Sequence, residues 1–273
     1  MGEAHGSVQE LAASLDALPP EFVRPEHEQP VATTFPGGAA LDVPVIDLSE
    51  PGSGARVAAA AREWGLFQVV NHGVPSPVVA ELQRVGREFF ALPREEKERY
   101  AMDPASGRIE GYGTKLQKDL EGKKTWNDFF FHIVAPPAKV DHGVWPRSPP
   151  GYREANKAYC RHMQRLAGEL LGHLSLGLGL EEGAMAEAFG GGDLVFLQKI
   201  NLYPPCPQPE LTLGVAAHSD PGGMTMLLVD DHVRGLQVRS PDAAAGEWIT
   251  VDPVPDAFIV NMGDQIQVRR PSI

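Results

Sequence analysis

His218-Ser219-Asp220 is the triplet in this chain best suited to chemistry. If it lies in extended backbone, residues two apart share a face, and an imidazole and a carboxylate project to the same side. Such a pair fills two positions around one divalent metal, and a histidine from another strand would complete a two-histidine, one-carboxylate face with positions left open for reactants. The spacing also admits a plainer reading, in which His218 ends a strand and Asp220-Pro221-Gly222-Gly223 is simply a loop. A hydrolytic metal site is disfavoured, because nothing near His218 offers a further general base at a persuasive spacing.

The elements that would position such a pair are many and short. With 29 glycines and 25 prolines the chain is heavily punctuated, which suits strands and turns better than a helical bundle. Positions 1–40 read as an extended lead-in with a short helix between Leu11 and Leu18. Val43 to Leu48 and Phe67 to Val70 read as strands, with an alanine-rich helix from Ala55 to Trp64 between them. Ser76-Pro77 is a helix start, and Val78, Leu82, Val85 and Phe89 keep one apolar face after it. A longer helix is predicted after Pro149-Pro150, where Tyr159, Met163, Leu166, Leu170 and Leu174 recur at intervals of three and four as far as Gly177. From Val195 the pattern becomes strand-rich: Phe196 to Tyr203, Thr225 to Val229, Gly235 to Val238, Trp248 to Val251, Phe258 to Asn261 and Gln265 to Val268. This half predicts a sandwich or barrel.

Bulk properties exclude several classes. At 273 residues, 42% hydrophobic and 22% charged, the chain has the composition of a folded protein with a sizeable core rather than of a disordered or coiled-coil one. A net charge of −12 repels phosphate backbones and anionic lipid surfaces, so neither nucleic acid nor membrane is an expected partner. Cys160 and Cys206 are too few for a disulfide framework, and a reducing cytoplasm is the expected setting. No apolar run approaches the roughly 20 residues of a membrane span, the first thirty residues do not read as a signal peptide, and Met1-Gly2 is discounted as a myristoylation start.

Further segments surround the triplet. Asn201-Leu202-Tyr203-Pro204-Pro205-Cys206-Pro207 precedes it, and Leu213 to Thr225 runs through it. Trp64-Gly65-Leu66-Phe67-Gln68-Val69-Val70-Asn71-His72-Gly73-Val74 lies upstream and Asn261-Met262-Gly263-Asp264-Gln265-Ile266-Gln267-Val268 downstream. Together, and in this order, they make most of positions 41–268 resemble the plant 2-oxoglutarate- and Fe(II)-dependent dioxygenases, in particular the group of flavonol synthase, anthocyanidin synthase and jasmonate-induced oxygenases. The resemblance implies an α+β fold with a double-stranded β-helix, or jelly-roll, core and a helical amino-terminal region. It divides the chain into a lead-in (1–40), an amino-terminal dioxygenase region (41–150), a scaffold helix region (151–194) and a partial Fe(II)/2-oxoglutarate core (195–273).

The resemblance also implies roles. His218 and Asp220 match the first two iron ligands. Tyr203 matches a tyrosine that hydrogen-bonds a carboxylate of 2-oxoglutarate, and Asn201 a polar neighbour in that pocket. Lys199, Phe129 and Phe131 align with positions lining the organic substrate pocket, although the aromatics would equally serve as core and Lys199 as a solvated strand residue. His72 matches a structural position rather than an iron ligand. The implied reaction hydroxylates or desaturates a small flavonoid- or jasmonate-like molecule with Fe(II) as cofactor, 2-oxoglutarate as cosubstrate and ascorbate as accessory reductant. The oligomeric state is left open.

The chain departs from the family pattern at one place. The third iron ligand should be a histidine well downstream of Asp220, followed by an arginine and a serine that bind the far carboxylate of 2-oxoglutarate, yet the last of the nine histidines is His232. The expectation is a jelly roll incomplete at its carboxy terminus, with unpaired sheet edges and a metal weakly held by two ligands. Arg269 and Arg270 are poor substitutes for the missing arginine, lying at a terminus without a supporting shell. A catalytically inactive fragment that binds a ligand or a full-length relative is the alternative from another class.

Overall fold

The computed structural model describes residues 7–30, 40–41, 43–113, 122–230, 233–239 and 248–267. Arg269, Arg270, His232 and Val268, discussed above, lie outside them. The chain divides into two compact units, each assembled from three separated stretches: 1–30, 77–160 and 195–217 in the first, 31–76, 161–194 and 218–273 in the second.

The first unit begins with helix α1 (Val8–Ser14). The Ser7 hydroxyl accepts from the Glu10 amide while the Glu10 carboxylate accepts from the Ser7 amide, a reciprocal cap that satisfies two otherwise orphaned donors. Both carboxylate oxygens of Asp128 accept from the next two amides, Val8 and Gln9, at 3.0 and 2.9 Å. The helix therefore starts three residues earlier than the Leu11–Leu18 expectation and is already extended at Leu15. The cap lies upstream of the apolar positions from which the helix was inferred.

Strands β4 (Gly111–Gly113), β5 (Asp128–Ala135) and β6 (Phe196–Leu202) form an antiparallel sheet in the order β4-β5-β6. Helix α3 (Ser76–Ala91) and, beyond the short α4 (Arg94–Glu98), the first turns of α5 (Tyr152–Gly177) supply its apolar backing. Val85, Phe89 and Phe90 meet Tyr112, Phe130 and Tyr152 in one buried cluster. Fully burying a side chain of this size contributes about 1.5–3 kcal/mol, so this cluster is a main source of the unit's stability. The α3 and α5 boundaries agree with the sequence expectation to within a few residues, because both ends carry proline or glycine signals. Strand β5 was not anticipated: the run Phe129-Phe130-Phe131 hides its alternation until burial is known.

The second unit holds β1 (Ala40–Leu41), β2 (Val45–Asp47), β3 (Leu66–Val70), β7 (Met224–Leu227), β8 (Gln237–Arg239), β9 (Trp248–Val251) and β10 (Phe258–Met262), with helix α2 (Ser53–Glu63). They form a four-stranded sheet, β2-β3-β10-β7, and a three-stranded one, β1-β9-β8. Val43, Leu66, Val251 and Ile259 make a buried cluster in this unit, with Leu227 and Val238 packed against it. The strand expected from Gln265 is corrected: residues 264–266 form a turn. The amides of Asp264 and Gln265 are drawn to the loop at 220–223, and that of Ile266 turns back to the Gly263 carbonyl, instead of to a neighbouring strand. No helix among the described residues is long and apolar enough to cross a membrane.

Candidate active site

His218, Ser219 and Asp220 lie on irregular backbone before β7, so residues 220–223 form a loop as the plainer reading has it, although no strand ends at His218. The two side chains nevertheless meet, His218 Nε2 standing 3.5 Å from Asp220 Oδ1. The imidazole is 57% exposed and the carboxylate 26%. A loop gives no two-residue periodicity to align two side chains; what holds Asp220 in place is a set of anchors from β7, from β10 and from the turn after it. Asp220 Oδ2 accepts from the Thr225 hydroxyl at 2.6 Å and from the Asn261 side-chain amide at 2.8 Å.

The loop backbone is held at three points. The amides of Gly263, Asp264 and Gln265 donate to the carbonyls of Gly223, Asp220 and Gly222 at 2.8, 2.8 and 3.2 Å. Gln265 Nε2 adds a bond to the Pro221 carbonyl, and the Ser219 hydroxyl donates to Asp264. Residue 263 must be glycine for this approach, because a Cβ there would collide with the carbonyl oxygens of Gly222 and Asp220.

An imidazole nitrogen and a carboxylate oxygen within chelating reach are donors that suit Fe(II), so the pair fits two corners of a metal face. Among the described residues no group of three or more histidine, cysteine, aspartate or glutamate side chains could hold a metal. His72 is used otherwise. Its Nδ1 accepts from the Val74 amide at 3.1 Å, which puts the proton on Nε2, where the Asp256 carbonyl lies 3.0 Å away. The ring packs on Phe258, and burial lowers its pKa.

In the first unit the remaining candidates share one face of the β5–β6 ladder. Phe129 pairs with Asn201 and Phe131 with Lys199. Side chains alternate across a strand, and here Phe130 and His132 are buried while Phe129 and Phe131 are partly open and Lys199 and Asn201 exposed. Phe130, not Phe129 or Phe131, is therefore the core aromatic. Lys199 is also more than a solvated residue, its Nζ lying 4.5 Å from the centroid of the Phe129 ring. Gly113, opposite Phe129, leaves room for that ring: a Cβ there would sit 2.8 Å from its edge. Tyr203 follows β6, is 53% exposed, and packs its ring against Gly214, where a Cβ would come within 2.6 Å.

The structure thus gathers Phe129, Phe131, Lys199 and Asn201 on one face and pairs His218 with Asp220 on its own loop. Sequence reasoning assigned no role to Thr225, Asn261, Gly263 or Gly214. The available signal was a lone polar residue inside an apolar strand, as Thr225 is in Met224–Leu227 and Asn261 in Phe258–Met262.

Residues 43–150 match the family model described as the non-haem dioxygenase in morphine synthesis N-terminal region, and residues 193–272 match the 2OG-Fe(II) oxygenase superfamily. The chain is 52% identical over 263 residues to flavonol synthase 1 of Crocosmia x crocosmiiflora, covering 96% of this chain and 77% of the relative. It is 50% identical over 265 residues to a flavonol synthase/flavanone 3-hydroxylase of Arabidopsis thaliana (95% and 77%), and 44% identical over 270 residues to jasmonate-induced oxygenase 1 of that plant (96% and 66%). The crystal structure of JOX2 in complex with 2OG, Fe and JA matches with a TM-score of 0.85 at 42% identity, over 97% of this chain and 75% of that one. The architecture is accordingly α+β with a jelly-roll core, the scaffold of a cofactor-dependent oxidoreductase. The chain belongs to the 2OG-Fe(II) oxygenase superfamily, whose enzymes use Fe(II) and 2-oxoglutarate on small organic substrates.

Proposed function

We propose that the chain oxidises a flavonoid by desaturation or hydroxylation, with iron held at His218 and Asp220. The observation that carries the iron assignment is the approach of His218 Nε2 to Asp220 Oδ1, fixed by anchors from β7 and the turn after β10. Identities of 44–52% to six flavonol synthases, against 41–44% to two jasmonate-induced oxygenases, lean toward the flavonoid class.

Bound Fe(II) supplies the centre at which O2 and 2-oxoglutarate are converted to succinate and CO2. In hydroxylation one oxygen atom of O2 enters the substrate and the other succinate; in desaturation the substrate loses two hydrogens and the second oxygen leaves as water. The residues of this chain bind and orient. His218 would offer a ring nitrogen and Asp220 a carboxylate oxygen. The Tyr203 hydroxyl would donate to a carboxylate of 2-oxoglutarate, with Asn201 as polar neighbour. Phe129 and Phe131 present rings for stacking an aromatic substrate, and Lys199, held over Phe129, presents a cation to a phenolate or hydroxyl. Ascorbate would serve as the reductant that keeps bound iron ferrous. A cytoplasmic setting belongs to the same reading, supported by Cys160 and Cys206, which form no disulfide with each other.

The test is O2-dependent succinate formation by the purified chain with Fe(II), 2-oxoglutarate and ascorbate, with a flavanone or a jasmonate added. Stimulation by the flavanone, with a product 16 mass units heavier or 2 lighter, is the expected result. Stimulation by the jasmonate alone would overturn the substrate class, and no stimulation by either would overturn the activity.

A further inference from the structure

Asp220 Oδ2 accepts two short hydrogen bonds, from the Thr225 hydroxyl at 2.6 Å and the Asn261 amide at 2.8 Å, while Oδ1 is the oxygen that lies 3.5 Å from His218 Nε2. We infer that Thr225 and Asn261 are positioning residues for the iron ligand: by engaging Oδ2 together they present Oδ1 alone to the metal. The inference rests on the assignment of Asp220 to iron.

A carboxylate can bind a metal through one oxygen or both. Binding through both consumes a coordination position, and this reaction needs positions for 2-oxoglutarate and O2. Each carboxylate oxygen has about two lone-pair sites, so two donors on Oδ2 use up the directions a metal would take there. Both bonds run to an ionised acceptor and belong to the stronger kind.

The donors come from regular structure although the acceptor does not. Thr225 on β7 stands directly opposite Asn261 on β10, and the ladder register sets both side chains against the same oxygen. A β-branched threonine has restricted χ1 freedom, so its hydroxyl direction is fixed with the strand. At the other end of the residue, the Asp264 amide holds the Asp220 carbonyl at 2.8 Å. Asp220 is thus oriented through its side chain and its backbone by partners that lie outside its loop.

The test is titration of the full chain with Mn(II), reading free Mn(II) by electron paramagnetic resonance, with thermal unfolding recorded for each variant. Thr225→Val and Asn261→Ala should each weaken Mn(II) affinity by about ten-fold, the lower end of what loss of such an outer partner costs. Thr225→Ser, which keeps the hydroxyl, should stay within about two-fold of the parent. The double variant should lose less than the product of the single losses, because both donors serve one oxygen. Where Thr225→Val unfolds below the assay temperature, Asn261→Ala and Thr225→Ser carry the test.

Parental affinity in Asn261→Ala and Thr225→Val, with binding abolished in Asp220→Asn, would overturn the positioning role and leave the iron assignment standing. Parental affinity in Asp220→Asn would overturn that assignment itself. An equal loss in Thr225→Ser and Thr225→Val would trace the effect to packing and also overturn the inference.

Discussion

Behind the β4–β5–β6 sheet, Phe89 touches Phe90, Tyr112, Phe130 and Tyr152, with ring centroids between 5.0 and 6.1 Å apart. Asp220, by contrast, is held by two side-chain donors and by the amide of Asp264, with a quarter of its side chain open to solvent. The first region owes its order to burial, which is additive over many weak contacts and indifferent to direction. The second owes its order to a few directional bonds and to one glycine that allows two loops to touch. Changes in the first region should therefore move global stability, and changes in the second should move ligand affinity at nearly constant stability.

The largest effect should come from Phe89→Ala, which empties the centre of the aromatic cluster. It should lower the unfolding free energy by about 3–5 kcal/mol in urea titration. A loss below about 1 kcal/mol would mean that the cluster is not the stabilising element described here.

A pH series probes the same region. Burial among Phe130, Trp145 and Tyr152 pushes the His132 imidazole down to about 3 from its ordinary 6.5. Between those values the unfolded chain takes up a proton that the folded chain refuses. The contribution of His132 is thus complete above pH 6.5 and is lost as pH falls toward 3, with a slope of about 1.4 kcal/mol per pH unit. His132→Leu should remove that part of the slope between pH 6.5 and 5, about 2 kcal/mol, when urea midpoints of variant and parent are compared. Parallel curves for the two proteins would contradict the burial argument.

Gly263→Ala sharpens the contrast from the other side. The added Cβ must push the Gly222 and Asp220 carbonyls away, so Mn(II) affinity should fall at least about ten-fold, or about 1.4 kcal/mol. The urea midpoint should move far less than in Phe89→Ala. A variant that melts early yet binds metal normally would reverse the comparison.

The smallest effect is expected on the open face of the first unit. Replacing Lys199 by Met removes the cation over Phe129, an exposed interaction of about 0.5–1 kcal/mol, and should raise KM for an aromatic substrate a few-fold while lowering stability by no more than about 1 kcal/mol. An unchanged KM would remove Lys199 from the substrate face.

Much of the frame was legible in the sequence. The long helix from Tyr152 to Gly177 is written in apolar residues three and four apart between a proline pair and a glycine. Strand β10 follows from its short apolar run. The same signal misled at Gln265-Ile266-Gln267, whose alternation imitates a strand although the preceding amides are spent on the 220–223 loop. The face shared by Phe129, Phe131, Lys199 and Asn201 was not legible from periodicity, because strand register is a relation between distant segments. Nor were the partners of Asp220, one of which lies 41 residues downstream.

The sequence by itself determined which donors exist, an imidazole and a carboxylate one residue apart, and which helices and most strands can form, since composition and local period depend on neighbours alone. Only the tertiary structure decided which way those donors point. The triplet sits in a loop with no intrinsic direction, so its orientation is imposed by a hydroxyl, an amide and a bare glycine backbone that folding alone brings to it.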